Sequence, residues 1–465
     1  MDKIIITPPI AILGFGAEGR HALEFLQKQG ISDITIRDEK TTVQIPAGIK
    51  SKLGPGAFDD LTEFRTIIRS PGVRYRLPSI QKAIEAGCHV TSMTKLTLEA
   101  ASDRVTAVTG TNGKTTTVAL ATQILSAYYK CKLVSGGNGQ KPVLSEILLH
   151  PHWPILIEAS SFQFEDMHVS PHIAVVTNIT PDHQNWHANM EEYVAAKTNI
   201  LKHQKPSDWA ILNANNENSA RLHTATKAQI FWVGQKKGRN WAVWEGDWLT
   251  IGFDENSEGA IQPASGGRLQ SGNNKPIRVL NRSELVVKTH PDNLLFAAAI
   301  ATIHQAPVAI IAKEMKTFKG VEMRLEFVRT VNGIHFYNDS AATTPEAALV
   351  AISQFDPKKL ILLLGGSTKN ADFTYLAKAI VEKGVRVYLY GKEGARIKEA
   401  IGSASGKSTI LAYDQTGDFR HTIQTAFSFT KSDDIIVLSP ACASFDMFKN
   451  SVDRSNQFKE IVSGL

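Results

Sequence analysis

Ala107-Val108-Thr109-Gly110-Thr111-Asn112-Gly113-Lys114-Thr115-Thr116 is the stretch on which the reading of this chain turns. An apolar, β-branched run from Val105 to Val108 feeds a glycine turn, and a helix-like stretch, Thr117 to Ala127, follows. Strand, glycine loop and helix in that order build a phosphate cradle. Glycines let backbone N–H groups approach the phosphates, the lysine neutralises them, and the hydroxyl after it reaches Mg²⁺. Gly110, Thr111, Asn112, Gly113, Lys114, Thr115 and Thr116 are therefore candidates for holding a nucleoside triphosphate, with Thr115 also facing the metal. Val108 stands where the general pattern has its first glycine, so the competing reading is a plain Gly-rich βα turn.

With 465 residues, 43% of them hydrophobic and 21% charged, the chain has the composition of a soluble globular protein. That length predicts about three domains. No apolar run reaches the roughly 18 residues of a membrane span, and Met1 to Ile6 reads as a first strand instead of a signal peptide. Cys88, Cys131 and Cys442 are too few and too scattered for a disulfide frame or zinc site, which fits a reducing cytoplasm. A net charge of +6 is spread along the chain, which favours small anionic substrates over nucleic acid.

Three α/β segments follow, at 1–96, 97–320 and 321–465. The first pairs Ile10-Ala11-Ile12-Leu13 with the turn Gly14-Phe15-Gly16-Ala17-Glu18-Gly19 and a helical stretch, Arg20 to Gln29. Its second strand ends in Asp38, and Ser70-Pro71-Gly72 follows another. This is a βαβ unit whose G-x-G-x-x-G alone would equally suit a dehydrogenase. The second carries the phosphate loop and apolar runs at 155–158, 173–176 and 209–212, predicting a parallel sheet. Residues 231–276, with Trp232, Trp241, Trp244 and Trp248, read as an antiparallel excursion with a mobile tip. Its tryptophans suit packing better than a binding box. In the third, Leu360 to Leu364, Val385 to Tyr390 and Asp434 to Leu438 are buried strands.

Several residues stand at strand ends, where ligands bind such sheets. Glu158 suits Mg²⁺, against the alternative of a helix-capping acid. Asp182 and His183 lie in a Pro-containing loop and suit metal or substrate. Lys197, by residue type alone, is a surface lysine on a helix. Asn338-Asp339-Ser340 and Ser439-Pro440-Ala441-Cys442-Ala443-Ser444 offer hydroxyls and acids at the third sheet's edge.

Together these motifs resemble the Mur ligases over nearly the whole chain. Glu158-Ala-Ser-Ser-Phe-Gln-Phe-Glu165, Leu438-Ser-Pro-Ala-Cys-Ala-Ser-Phe-Asp446, and Gly365-Gly366 followed by Lys369-Asn370-Ala371-Asp372-Phe373 are similar to the glutamate-adding member. The resemblance implies a three-domain fold: a Rossmann-like N-terminal domain for the UDP-substrate, a central P-loop ATPase-type parallel sheet, and a C-terminal Rossmann-like domain that closes on amino acid and ATP. It implies an ATP-dependent, amide-bond-forming ligase that adds D-glutamate to UDP-N-acetylmuramoyl-L-alanine through an acyl phosphate. The setting would be cytoplasmic peptidoglycan precursor synthesis, by a protein acting as a monomer with no nucleic-acid or membrane partner.

By the same resemblance, Lys114 and Thr115 bind ATP phosphates and one of two Mg²⁺ ions, and Glu158 and His183 serve magnesium. Lys197 would be carbamylated by CO₂ and so become an anionic metal ligand. Asn293, Arg324 and Asp339 match positions that hold adenine, phosphates and ribose. Asn138, Ser160 and Gln163 would touch the sugar–peptide, and Phe15, Gly16, Asp38, Ser70 and Gly72 the UDP. Thr343, Lys369 and Ser444 would meet glutamate.

The sequence departs from the family pattern at Ala341, where a lysine is usual, and at Met323, His290 and Ser451. These departures bear on the amino acid added. The alternatives are a ligase adding L-glutamate to the same substrate, folylpolyglutamate synthetase, or a non-catalytic nucleotide-binding regulator.

Overall fold

The structure, a computed structural model, describes residues 6–137, 143–181, 186–187, 189–254, 276–286, 289–367, 371–404 and 409–465. It holds three sheets. The first contains β1 (Ile10–Leu13), β2 (Ile34–Asp38), β3 (Lys50–Leu53), β4 (Thr66–Arg69) and β5 (His89–Thr91), parallel throughout in the order β3-β2-β1-β4-β5. The proposed strand at Met1 to Ile5 lies outside the described residues, and Ile6 is not in a strand.

The second sheet contains β6 (Val105–Thr109), β7 (Val134–Gly137), β8 (Ile155–Glu158), β9 (Ile173–Val176), β10 (Trp209–Asn213), β11 (Gln229–Val233), β12 (Trp241–Glu245), β13 (Trp248–Gly252) and β14 (Ile277–Asn281). Its order is β14-β13-β12-β11-β10-β9-β6-β8-β7. β6, β8, β9 and β10 are buried along their whole length, as expected of parallel strands covered on both faces. The antiparallel excursion begins later than the sequence suggests. Trp232 sits on β11, which runs parallel to β10 and β12, and only β12, β13 and β14 pair antiparallel. Aromatic-rich text alone does not reveal strand direction, because alternation is common to both kinds of pairing. The tip at 255–275 lies outside the described residues.

The third sheet contains β15 (Glu326–Val331), β16 (Ile334–Asn338), β17 (Leu360–Gly365), β18 (Arg386–Tyr390), β19 (Ile410–Tyr413) and β20 (Ile435–Leu438), in the order β15-β16-β20-β17-β18-β19. Only β15 is antiparallel to its neighbour. The chain divides into two compact units, residues 1–284 with 292–317, and 285–291 with 318–465. The first two sheets share the first unit. There Arg69, at the end of β4, donates to Asp166 at 2.7 Å and to the Phe162 carbonyl, with both charged side chains at most 3% exposed. Lys95 lies 3.6 Å from the same carboxylate.

Under the second sheet, the Ala-rich helix Pro291–Ile303 is buried continuously from Asn293. His304 follows it, fully enclosed. Its Nε2 meets Thr106 Oγ1 and its Nδ1 meets the Tyr129 hydroxyl, both at 3.0 Å. Burial, helped by the charge of His172, pushes its pKa down to about 3. An unfolded chain protonates this imidazole near pH 6.5, whereas the folded chain does not. Stability contributed here is present above that pH and is lost as pH falls toward 3, at up to about 1.4 kcal/mol per pH unit. Replacing the ring in His304→Gln is expected to flatten the fall of Tm between about pH 7 and pH 5. Parallel Tm–pH curves for the two proteins would exclude this role.

Candidate active site

β6 stands where the second sheet's order reverses, with β8 and β7 on one side and β9 and β10 on the other. Parallel sheets take ligands at such a reversal. Gly110 leaves β6 at φ 147°, and a Cβ there would lie 2.0 Å from Thr177 Oγ1. Gly113 has φ 87°, and its Cβ would lie 2.5 Å from Asn293 Oδ1. Backbone and space therefore both require glycine at these two positions. The turn after β9 sets the loop's path. Thr111 N–H donates to the Asn178 carbonyl at 2.8 Å and Asn112 N–H to Asn178 Oδ1 at 2.9 Å. Thr177 Oγ1 donates to the Asn112 carbonyl at 2.6 Å. Gly113 precedes the helix Lys114–Tyr128 and, having no side chain, makes no side-chain cap, so a positive helix end faces the loop. Thr115 and Thr116 lie in its first turn.

Lys114 Nζ folds back onto the loop, donating to the Gly110 carbonyl at 3.0 Å and the Thr111 carbonyl at 2.9 Å. Lys197 is 1% exposed, which corrects the surface-lysine reading made from residue type. It lies on the helix Met190–Thr198, and its Nζ donates to the same Gly110 oxygen at 3.0 Å. The Tyr193 ring lies 4.6 Å from this ammonium, and the Tyr193 hydroxyl meets Thr111 Oγ1 at 3.0 Å. Two ammonium groups thus converge on one carbonyl oxygen. Such a pair is stabilised by an incoming anion.

Glu158 ends β8, opposite Val108 of β6, and is 3% exposed. A carboxylate and a threonine hydroxyl are hard oxygen donors of the kind Mg²⁺ takes. Among the described residues no group of three His, Cys, Asp or Glu side chains converges. Asp182, His183, Asn138 and Lys369 lie outside the described residues. Ser160 and Gln163 form a capping box on the short helix Ser161–Phe164. The Gln163 amide is engaged at both ends, accepting from Ser160 N–H at 2.8 Å and donating to Thr94 Oγ1 at 2.7 Å.

In the first sheet, the glycines of the Gly14 turn serve distinct ends. Gly14 has φ 80°, and a Cβ on Gly19 would stand 2.2 Å from the Gly14 carbonyl, so helix and strand touch. Asp38 accepts the Phe15 N–H at 2.7 Å, and Ser70 Oγ donates to the Gly14 carbonyl at 2.7 Å. Gly16 and Gly72 are exposed on the two turns. Glu18 was not singled out by its motif. Burial raises its pKa to about 7 against the pull of Arg69.

The second unit gathers its own residues at the third sheet's edge. Asp339 is buried, accepts from Leu325 N–H at 3.2 Å and Ser439 Oγ at 2.7 Å, and is pushed up to about 7 by that burial. The nearby Arg324 opposes this shift from an exposed position. Thr343 is exposed and Ser444 buried, each on a loop after a strand end. Sequence patterns gave no role to Asn178, Tyr193 or Arg454. Their partners lie far along the chain, so spacing carries no signal for them.

Three family models match the chain: a Mur ligase MurD-like N-terminal domain at 8–92, a Mur ligase middle domain at 108–248, and a Mur ligase glutamate ligase domain at 323–442. A protein of Acetivibrio thermocellus named UDP-N-acetylmuramoylalanine–D-glutamate ligase is 34% identical, covering 100% of this chain and 98% of its own length. One of that name from Clostridium perfringens is 32% identical, covering 98% and 96%. Among solved structures, the UDP-N-acetylmuramate-alanine ligase MurC of Thermotoga maritima superposes with a TM-score of 0.56 at 17% identity, over 98% of this chain and 99% of that one. The MurF ligase of the same organism, in complex with ADP, also reaches 0.56, at 14% identity over 98% and 95%. At such identities these two show the shared fold.

Gly113→Ala tests the loop's geometry directly. A left-handed alanine costs about 1–2 kcal/mol, and its methyl group would displace Asn293. We expect a lowered Tm and an ADP affinity weakened by about tenfold or more in calorimetry. Wild-type ADP affinity in the variant would refute the assignment of this loop.

Proposed function

This chain belongs to the Mur ligase family, and from that premise we propose that it joins D-glutamate to UDP-N-acetylmuramoyl-L-alanine with ATP. Full-length relatives carry that activity in their names. The observation that carries the phosphoryl chemistry is the meeting of Lys114 and Lys197 on the Gly110 carbonyl, beside an uncapped helix N-terminus. A carboxylate does not react with an amine while its leaving group is oxide. Attack of the alanyl carboxylate on the γ-phosphate gives an acyl phosphate and ADP. The glutamate amine then displaces phosphate, forming the amide and releasing a proton.

The loop Gly110 to Thr116 holds the triphosphate in this reading, with Lys114 spreading the charge that develops on transfer. Asn293, Arg324 and Asp339 hold the rest of ATP. Thr115, Glu158, His183 and Lys197 would hold two Mg²⁺ ions, which supply further charge neutralisation when bound. Lys197 fits a carbamate. Its buried amine lies beside a second cation, and adding CO₂ would replace like-charge repulsion with attraction. The Gly14 turn, with Phe15, Gly16, Asp38, Ser70 and Gly72, grips the UDP. Ser160, Gln163 and Asn138 serve the sugar–peptide. For Gln163 the support is positional, since its amide already closes the capping box. Thr343, Lys369 and Ser444 receive glutamate. Such an enzyme works on cytoplasmic, soluble precursors.

Lys114→Ala is expected to lower the ligation rate by about three orders of magnitude, as loss of a charge-stabilising group does. ATP-dependent product formation within about tenfold of wild type would be incompatible with the proposed role. Lys197→Ala should be nearly inactive and partly restored by short carboxylates, and bicarbonate should protect the wild type after CO₂ is stripped. Full activity in Lys197→Ala removes the carbamate. For the amino acid, chiral analysis of the product from an equimolar D/L-glutamate mixture decides the matter. We expect the D-isomer, and a product holding only L-glutamate would transfer the chain to the L-adding reading.

A further inference from the structure

We propose that Arg454 is a positioning residue for the amino-acid substrate: a buried, immobile positive charge that makes the site prefer a dicarboxylic amino acid. The inference rests on the glutamate reading above. Arg454 lies in the first turn of the helix Ser451–Ser463 and is 0% exposed. Its guanidinium touches the loops that leave three neighbouring strands. Nε donates to Ser340 Oγ at 3.0 Å and Nη2 to the Ser340 carbonyl at 2.9 Å, on the loop after β16. Nη1 donates to the Cys442 carbonyl at 3.1 Å, on the loop after β20. The same Nη1 would stand 3.3 Å from a Cβ on Gly366, on the loop after β17.

All three acceptors are neutral. Among the described residues Arg454 makes no ion pair, although the acids of its neighbourhood are close enough to act on Cys442 alongside it. Of these, Glu393 pairs with Arg396 at 2.7 Å, and Asp446 accepts the Lys392 N–H at 3.1 Å through one oxygen while its other oxygen has no hydrogen-bond partner among the described residues; neither forms an ion pair with Arg454. A guanidinium cannot shed its proton, so its charge persists in the interior. A buried cation without a paired carboxylate favours any anion that binds nearby. The loops it joins carry Ser444 and Thr343, and Ala341 offers no charge where the family pattern has lysine. Glutamate brings two carboxylates to this edge, whereas glutamine brings one.

The experiment compares wild type, Arg454→Lys and Arg454→Gln with ATP, Mg²⁺ and UDP-N-acetylmuramoyl-L-alanine, using D-glutamate or D-glutamine as acceptor. Arg454→Gln is expected to raise the glutamate KM by about a hundredfold and to cut the glutamate-over-glutamine ratio of kcat/KM by about tenfold or more, with the UDP-substrate KM held within about twofold. Arg454→Lys keeps the charge but loses the three-way fork. It should keep the preference while its glutamate KM rises by about tenfold. A folded Arg454→Gln with reduced kcat but unchanged glutamate KM and ratio would reduce Arg454 to a purely structural part. If Arg454→Gln does not fold, an unchanged glutamate KM in Arg454→Lys overturns the proposal. Wild type that turns over no glutamate at all defeats the glutamate reading instead, a different result from selective turnover that Arg454 does not influence.

Discussion

The phosphate loop is held from two sides, by its own Lys114 folding back onto it and by the turn after β9. Thr177 and Asn178 supply two donors and two acceptors to the loop's backbone. That dependence fixes much else in the first unit. β9 must lie directly beside β6, which places the reversal of strand order at the loop. Gly110 must lack a side chain because Thr177 occupies the space. Asn213 Nδ2 donates to the Thr177 carbonyl at 2.8 Å, so β10 supports the supporting turn. A loop held this way has its backbone path fixed by the surrounding protein, which is what electrostatic preorganisation requires.

Charge is distributed along the same lines. Around the Gly110 carbonyl two ammonium groups share one acceptor, a concentration of positive charge suited to polyanions. Glu158 adds a single buried carboxylate at the neighbouring strand end. Elsewhere in the unit Arg69 and Lys95 gather on the one carboxylate of Asp166. In the second unit Asp339 shows the opposite device, with burial driving its carboxyl toward the neutral form that accepts and donates hydrogen bonds.

The parts of this fold legible in the sequence are those set by local rules. A glycine that must adopt positive φ, a lysine after it, and a buried strand before it leave a mark within ten residues. The Gly14 turn is equally legible, and Gly19 proves to be the position where helix and strand backbones touch. Illegible are the positions decided by distant partners. Lys197 reads as a surface residue from its type alone, yet its Nζ reaches Gly110, 87 positions away. Gln163, matched by resemblance to the sugar–peptide, has its amide on Thr94 Oγ1, a contact 69 positions away that spacing does not reveal. Trp232 reads with the hairpin that follows it, because strand direction depends on which neighbour it meets.

Three of the departures from the family pattern, at Met323, Ala341 and Ser451, fall where backbone groups set the path of the chain. Met323 and Leu325 flank Arg324 at φ of 60° and 47°, conformations that cost non-glycine residues about 1 kcal/mol or more each. The surroundings hold them there. Met323 N–H donates to Glu326, Leu325 N–H donates to Asp339, and the Ala341 N–H donates to the Met323 carbonyl. Ser451 contributes its carbonyl, which accepts from Ser340 Oγ. Backbone groups do this work at positions 323, 341 and 451, and any residue supplies them. Lysine or alanine at 341 therefore changes what the loop offers a ligand without changing where the loop runs. The glycines of the phosphate loop are fixed by φ and close contacts, whereas positions 323, 341 and 451 are held by backbone groups and tolerate exchange of their side chains.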